Sequence, residues 1–368
     1  MKSFLENIRL LVDKEHGLVV ATIIKQLGSA PRELGARMIV SDDGRGWGSI
    51  GGGMLEAKVM SEAQMVLQSG EAKLIQFQLT GKDAAESDML CGGNVEVFLD
   101  PVPKTDKNFA GVTAAAEAVT KKDERGVLFE KVSAGVPDDY DPLVYNFRWL
   151  FLSESGKLAG NYGSHKLMSA LKDKVAEILS GGSPVLIRAG TLEDQADDLF
   201  ATPLLPPYRV ILFGGGHICL HLAKLIKMMG FLLVVADDRA EFASHERFPE
   251  ADEIWQTPFE TVLQGRSISP NDYLVIATRG HLYDLTVLYQ ALKTKAGYIG
   301  MIGSRRKKNL IYQKLQEWGV TQDALETVHA PIGIDINAQT PEEIAVSIVA
   351  ELIAQRRAGW KLKKGWKV

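Results

Sequence analysis

Two glycine-rich groups hold the residues whose types and spacing suit chemistry. In the first, Cys91 stands in Leu90-Cys91-Gly92-Gly93. Cys91 is either an inert buried thiol or, as a cysteine in a glycine-flanked loop, more accessible than one on a packed face. Its neighbouring backbone amides favour the thiolate, the form that binds soft metals. Upstream, Gly51-Gly52-Gly53 precedes a helix-period stretch with Glu56 one turn in. That run either cradles an anion or makes a tight turn, and Glu56 either orients a polar ligand or complements the helix dipole. The second group begins at Gly214-Gly215-Gly216-His217 and continues with Asp237, Arg239, Arg279, His281, Ser304 and Arg305. Here glycines admit a phosphate, helix N-termini offer N–H donors and guanidiniums bind phosphate oxygens as a fork. Arg305 to Lys308 has a plainer reading as an exposed charge run. His217 and His221 lie four apart on a helix, but no third ligand accompanies them and no metal is assigned there. Cys219, on the apolar face of the same helix, reads as packing.

The elements around these groups follow from the pattern. Tyr208 to Arg239 gives strand, glycine turn, helix, strand and acid, the order of a dinucleotide-type crossover. Asp237 lies 23 residues past Gly214, near the position of a ribose-reading carboxylate, while Cys219 replaces the third glycine of G-x-G-x-x-G. Glu253–Trp255, Tyr273–Ala277 and Tyr298–Ile302 read as further strands alternating with helices. They predict a parallel sheet covered on both faces, with ligands at the strands' carboxyl ends. Thr340-Pro341-Glu342-Glu343 is a capping box that predicts a last helix with Ile344, Ile348 and Leu352 turned to a core.

The first 105 residues also alternate strand and helix, and the next hundred repeat their plan. A shift of 112 lays residues 41–55 over 153–167, with Ser41, Gly44, Gly48, Gly51 and Leu55 matched identically. In the second copy Gly52-Gly53 becomes Ser164-His165 and Glu56 becomes Met168, and no Cys-Gly-Gly loop follows. Chemistry is therefore assigned to the first copy. The expected fold class is α/β, a C-terminal Rossmann-like parallel sheet plus an N-terminal α/β domain with an internal duplication. The expected boundaries are 1–105 for the first copy, 106–205 for the second, degenerate copy, 206–335 for the Rossmann-like domain and 336–368 for a helix and basic tail. Pro203, Pro206 and Pro207 mark the main break.

Composition narrows the classes. The 368 residues are 46% hydrophobic and 24% charged, with a net charge of −4. These are the proportions of a soluble globular protein with no basic footprint for nucleic acid. No apolar run has the length of a membrane span, and the N-terminal stretch reads as an amphipathic helix rather than a signal peptide. Two cysteines cannot build a disulfide framework, which points to a reducing cytoplasm.

The motifs GSIGGGMLE, MLCGG, FGGGHI, DDR, TRGH, IGMIGSRRK, PIGIDI and TPEEIAVSIVAE, in this order, resemble the xanthine dehydrogenase accessory protein family of the XdhC/CoxI type. The resemblance covers nearly the whole chain. It implies a non-catalytic chaperone, linked to purine catabolism, that binds molybdenum cofactor as molybdopterin or its cytosine dinucleotide form. Such a protein holds the cofactor while a cysteine desulfurase replaces an oxo ligand with sulfur. It then delivers the cofactor to a molybdenum hydroxylase such as xanthine dehydrogenase. The family's motifs carry over to Gly51–Gly53, Glu56, Cys91–Gly93 and Gly214–His217, and any thiolate–molybdenum contact falls to Cys91. The expected assembly is a homodimer, and the expected ligand site faces both the first copy and the Rossmann-like sheet. The competing reading from the residues is an NAD(P)-dependent oxidoreductase, with Asp237 on the ribose and His281 or His217 as proton relay.

Overall fold

A computed structural model describes residues 4–12, 17–28, 30, 32–78, 93–104, 106–120, 124–133, 148–161 and 164–356. The chain divides into two compact units between Pro206 and Pro207.

The N-terminal unit runs α1 (Phe4–Val12), β1 (Leu18–Leu27), β2 (Arg37–Ser41), β3 (Gly46–Gly48), α2 (Gly53–Ser69), β4 (Lys73–Gln78), β5 (Asn94–Val102) and α3 (Lys107–Thr120). It continues with β6 (Gly126–Val132), β7 (Trp149–Ser153), β8 (Leu158–Ala159), α4 (His165–Gly181), β9 (Val185–Ile187) and β10 (Asp198–Leu204). Two five-stranded sheets result, ordered β3-β2-β1-β5-β4 and β8-β7-β6-β10-β9. All their pairings are antiparallel. Strand β2 and helix α2 recur as β7 and α4 at an offset of 112 residues in both cases.

The side chains joining the two sheets repeat the same correspondence. Thr22 sits opposite Arg37 and Phe98 in the first sheet, as Glu130 sits opposite Trp149 and Phe200 in the second. Across the copies Thr22 Oγ1 donates to Glu130 at 3.1 Å. Arg37 donates to Thr202 at 2.9 Å, and its counterpart Trp149 donates through Nε1 to Asp100, the counterpart of Thr202, at 2.6 Å. These reciprocal bonds are those of two copies packed about a local twofold. Glu130 is fully buried beside Arg37. Burial is the largest influence on its carboxyl and, with Asp100 adding to it and Arg37 opposing, pushes its pKa up to about 7.

The C-terminal unit runs β11 (Arg209–Phe213), α5 (His217–Met228), β12 (Leu232–Asp237), β13 (Glu253–Gln256), β14 (Asp272–Ile276), α6 (His281–Ala291), β15 (Tyr298–Met301), α7 (Arg305–Glu317), α8 (Gln322–Glu326), β16 (Val328–His329) and α9 (Pro341–Arg356). Its six strands lie in the order β13-β12-β11-β14-β15-β16, all parallel. The interiors of the four central strands, β12, β11, β14 and β15, are apolar because both faces are covered: Ile211 and Phe213 enter one core, Val210 and Leu212 the other. The capping box forms, Thr340 Oγ1 accepting from the Glu343 amide and Glu343 accepting from the Thr340 amide at 3.1 Å. It starts α9 so that Ala345, Ile348 and Leu352 join Cys219, Leu222 and Ile226 of α5 in the second core. The terminal helix is thus part of this unit's core, and burial of Ile348 or Leu352 stabilises it by roughly 2 kcal/mol each. Among the described residues no helix is long and apolar enough to cross a membrane.

Candidate functional site

In an open parallel sheet the crevice lies where strand order reverses, outside the carboxyl ends of the strands. Here that point falls between β11 and β14. The chain leaves β11 through Gly214, at φ +118°, and packs so closely that a Cβ there would come 2.2 Å from the Ala277 carbonyl oxygen. A Cβ on Gly215 would come 2.2 Å from the Phe242 carbonyl oxygen, whereas one on Gly216 would meet nothing within 4 Å. The first two glycines let strands and loops close up, and the third leaves space. Gly216 is the N-cap of α5 and Gly280 that of α6, and neither helix has a side-chain cap. Their orphan N–H groups are available to a ligand, with exposed His217 and His281 as the first helical residues.

The carboxylates at this edge hold the turns in place. Asp237 is fully buried, accepting from the Gly215 amide at 2.9 Å, the Arg239 amide at 3.1 Å and Arg239 Nε and Nη2 at 3.0 and 3.1 Å. Both oxygens of Asp237, the residue expected to read a ribose, thus accept from the protein's own donors. Arg239 is likewise committed, donating to Asp237 and lying 3.5 Å over the Phe242 ring. Arg247 Nε closes the same turn by donating to the Gly215 carbonyl at 2.9 Å. Asp284, also fully buried, accepts from the Thr278 amide at 3.1 Å and hydroxyl at 2.7 Å and pairs with Lys307. Lys307 also donates to the Ile302 carbonyl, so one member of the Arg305–Lys308 run is structural while Arg305 and Arg306 remain exposed. Ser304 caps α7 by accepting from the Lys307 amide at 3.2 Å. Cations in a first helical turn oppose the helix dipole, an arrangement that favours anion binding over helix stability.

Asp238 and Arg279 form a bidentate pair across this edge, with Nη2 to Oδ2 at 2.7 Å. Hydrogen bonding from Arg279, opposed by burial, holds the Asp238 carboxyl below the usual carboxylate range. Asp284 and Arg247 are the site residues that sequence reasoning missed; Asp238 and Lys307 fall within stretches it singled out, without a role of their own. An acid in the first turn of a helix that lacks a capping residue was the one available signal for Asp284.

In the N-terminal unit, Gly48 pairs with Met38 near the start of β2, and Asn94 pairs with Leu27 and Gln78. The topology thus brings the glycine turn 51–53 and the buried Gly93 to one end of the first sheet. The amides leading into the turn are engaged, although α2, with Gly52 as its N-cap, has no side-chain cap. Glu56 Oε1 accepts from the amides of Ile50 at 3.0 Å, Gly51 at 3.3 Å and Gly52 at 2.8 Å, and from the Ser49 hydroxyl at 2.7 Å. Burial raises the Glu56 pKa, but the combined hydrogen bonds outweigh it and hold the carboxyl below its usual range. Within the anion cradle expected at Gly51–Gly53, the chain's own Glu56 carboxylate takes the Gly51 and Gly52 amides. Cys91 and Gly92 lie outside the described residues. Cys219 is 1% exposed and burial pushes its thiol up to about 12, so it is packing and not a ligand. His221 pairs with Glu342 at 3.2 Å, and among the described residues no three His, Cys, Asp or Glu side chains are grouped to hold a metal.

Comparisons with known proteins agree across the chain. The family model described as XdhC Rossmann domain matches residues 210–352, and the model of the XdhC and CoxI family matches residues 11–78. A protein of Bacillus subtilis (strain 168) described as a probable xanthine dehydrogenase subunit is 28% identical over 362 residues, 97% of this chain and 98% of that protein. The molybdenum cofactor insertion chaperone PaoD of Escherichia coli (strain K12) is 22% identical, over 92% of this chain and 84% of its own length. A crystal structure described as a xanthine dehydrogenase from Bacillus halodurans superposes with a TM-score of 0.77 at 25% identity, covering 99% of this chain and 98% of that one.

Proposed function

This chain belongs to the XdhC and CoxI family, and from that membership we propose that it is an accessory chaperone that binds molybdenum cofactor. In this reading it supports sulfuration of the cofactor with a cysteine desulfurase and delivers it to a xanthine dehydrogenase-type hydroxylase. It acts in the cytoplasm, as a homodimer. The cofactor is cargo, and the chain's own residues bind and orient it without reacting.

The observation that carries the reading is the switch-point edge: two uncapped helix N-termini, open space over Gly216 and the side chains of His217, His281 and Arg305. Donors without acceptors beside imidazoles and a guanidinium suit the phosphate end of the cofactor. Molybdenum, a soft metal, suits a thiolate. With Cys219 buried and its thiol raised, that role falls to Cys91. At the glycine turn 51–53 the Glu56 carboxylate already takes the Ile50, Gly51 and Gly52 amides and places a negative charge beside them, so the phosphate is assigned to the C-terminal unit. Nicotinamide dinucleotide suits the edge less well, because Asp237 has no oxygen left for a ribose hydroxyl.

The test is to purify the protein from cells making molybdenum cofactor and measure bound molybdenum and released pterin. The Cys91→Ser variant is expected to lose about tenfold or more of the bound molybdenum and to activate the client hydroxylase poorly. Wild-type retention and full client activation by that variant would remove the thiolate from the account.

A further inference from the structure

Among the acids at the carboxyl edge of the C-terminal sheet, Asp238 stands apart. Asp237 and Asp284 are fully buried and anchored by backbone amides. Asp238 is 22% exposed, and its close partner is the side chain of Arg279, itself 32% exposed. Arg239 Nε lies further off, at 3.9 Å.

The placement of this pair follows from the strand register. Phe213 at the end of β11 is level with Ala236 in β12 and Ile276 in β14. Asp238 comes two residues after Ala236 and Arg279 three after Ile276. The ion pair therefore joins the loops flanking β11 and crosses above Gly214 and Gly215. Neighbouring strands lie about 4.8 Å apart, so the span is roughly 10 Å, within reach of an extended arginine. Beneath the pair Gly214 and Gly215 are packed against backbone, and the open space begins at Gly216. The Arg279 guanidinium lies 4.2 Å over the Tyr283 ring, which holds it in place whichever acid it binds.

We propose that the Asp238–Arg279 pair is a latch across the switch point, opened when a phosphate group of the ligand takes Arg279 from Asp238. The proposal rests on the reading that this edge binds a phosphate-bearing ligand, and it identifies the side chain that competes for the same guanidinium. Phosphate and carboxylate both fit the arginine fork, and phosphate brings more charge. The exchange replaces one ion pair by another and breaks no covalent bond. A closed latch lowers apparent affinity by the fraction of molecules in which Arg279 is engaged. Ligands without a bidentate anion cannot open it, so the pair also selects among ligands.

The experiment is calorimetric titration of full-length protein with inorganic pyrophosphate at low salt. Asp238→Asn is expected to tighten binding about three- to tenfold by freeing Arg279. Arg279→Gln is expected to weaken it about ten- to a hundredfold, and the double variant is expected to match Arg279→Gln. Asp238→Ser, compared by thermal melting with wild type, guards against an effect particular to asparagine. Unchanged or weaker binding by both Asp238 variants would overturn the latch. If Gly216→Asp still abolished binding in that case, the phosphate site would stand without it. Absence of pyrophosphate binding in wild type and both Asp238 variants would overturn the latch and the phosphate reading together.

Discussion

Gly51-Gly52-Gly53 and Gly214-Gly215-Gly216 are the same tripeptide at the entrance to a helix, and the fold uses them in opposite ways. The first has φ of +138°, +76° and +57°, and its preceding amides converge on Glu56. The second has a positive φ only at Gly214, and its last glycine is extended and open. What separates them is the origin of the nearest carboxylate. Glu56 lies four residues after Gly52 and reaches back to fill the nest. Asp237 arrives from the neighbouring strand and accepts only the Gly215 amide of its turn, together with donors of Arg239. A glycine run thus marks a backbone that can bind an anion, and its acid neighbours decide whether any donor remains. The second copy of the N-terminal unit shows the nest dismantled: Ser164 caps the helix, accepting from the amides of Lys166 and Leu167, and Met168 takes the place of Glu56 in the core.

Four measurements of stability bear on this contrast. The largest effect belongs to Gly215→Ala. Its Cβ would press on the Phe242 carbonyl, which is backbone and cannot turn aside, so melting of the C-terminal unit should show a loss of about 3 kcal/mol or more. A mild effect would mean the turn is looser than its packing implies.

Next comes the pH dependence of the N-terminal unit. Glu130 has its folded pKa raised to about 7 from an ordinary 4.5. Its contribution is fully present below the unfolded value and is lost as pH rises through the folded one. Denaturant melts from pH 4.5 to 8 should show this unit losing on the order of 2 kcal/mol, with Glu130→Gln flattening the profile.

Glu56→Ala should cost about 1–2 kcal/mol, because three amides and the Ser49 hydroxyl lose their acceptor. Since the folded pKa of Glu56 is depressed, its contribution is present above the ordinary carboxylate range and fades as pH falls through the lowered value. Glu56→Gln, which keeps a carbonyl acceptor, should recover part of the loss. Smallest of all, Gly216→Ala should cost no more than about 1 kcal/mol, the penalty of alanine at an N-cap where the added Cβ meets nothing. A large loss there would show that the third glycine is structural like its neighbours.

Much of this fold can be read from the chain, because strands and amphipathic helices are local patterns. The crossover from Arg209 to Asp237, the three later parallel strands and the capping box at Thr340 all rest on short-range periodicity and caps. The duplication is visible through turn residues, and the strand order and reciprocal bonds of the two sheets repeat it. Contacts between distant residues are not legible. Nothing near Asp238 in the sequence pairs it with Arg279, 41 residues away. Nor does anything near Glu130 reveal Arg37, 93 residues away. Asp237 falls at a strand end as its spacing indicates, yet its role depends on which donors surround it in space. Glu56 stands out for its helical position, and only the folded turn shows that it occupies the cradle itself.

Whether the open end of the second glycine turn receives the phosphate of the cargo is decided by cofactor retention in Gly216→Asp. This substitution has room for its side chain and places a negative charge where the phosphate is expected, while aspartate is itself a favourable helix N-cap. Purified beside wild type from the same cells, the variant should melt normally and carry little or no pterin. A folded Gly216→Asp protein holding as much cofactor as wild type would contradict the account.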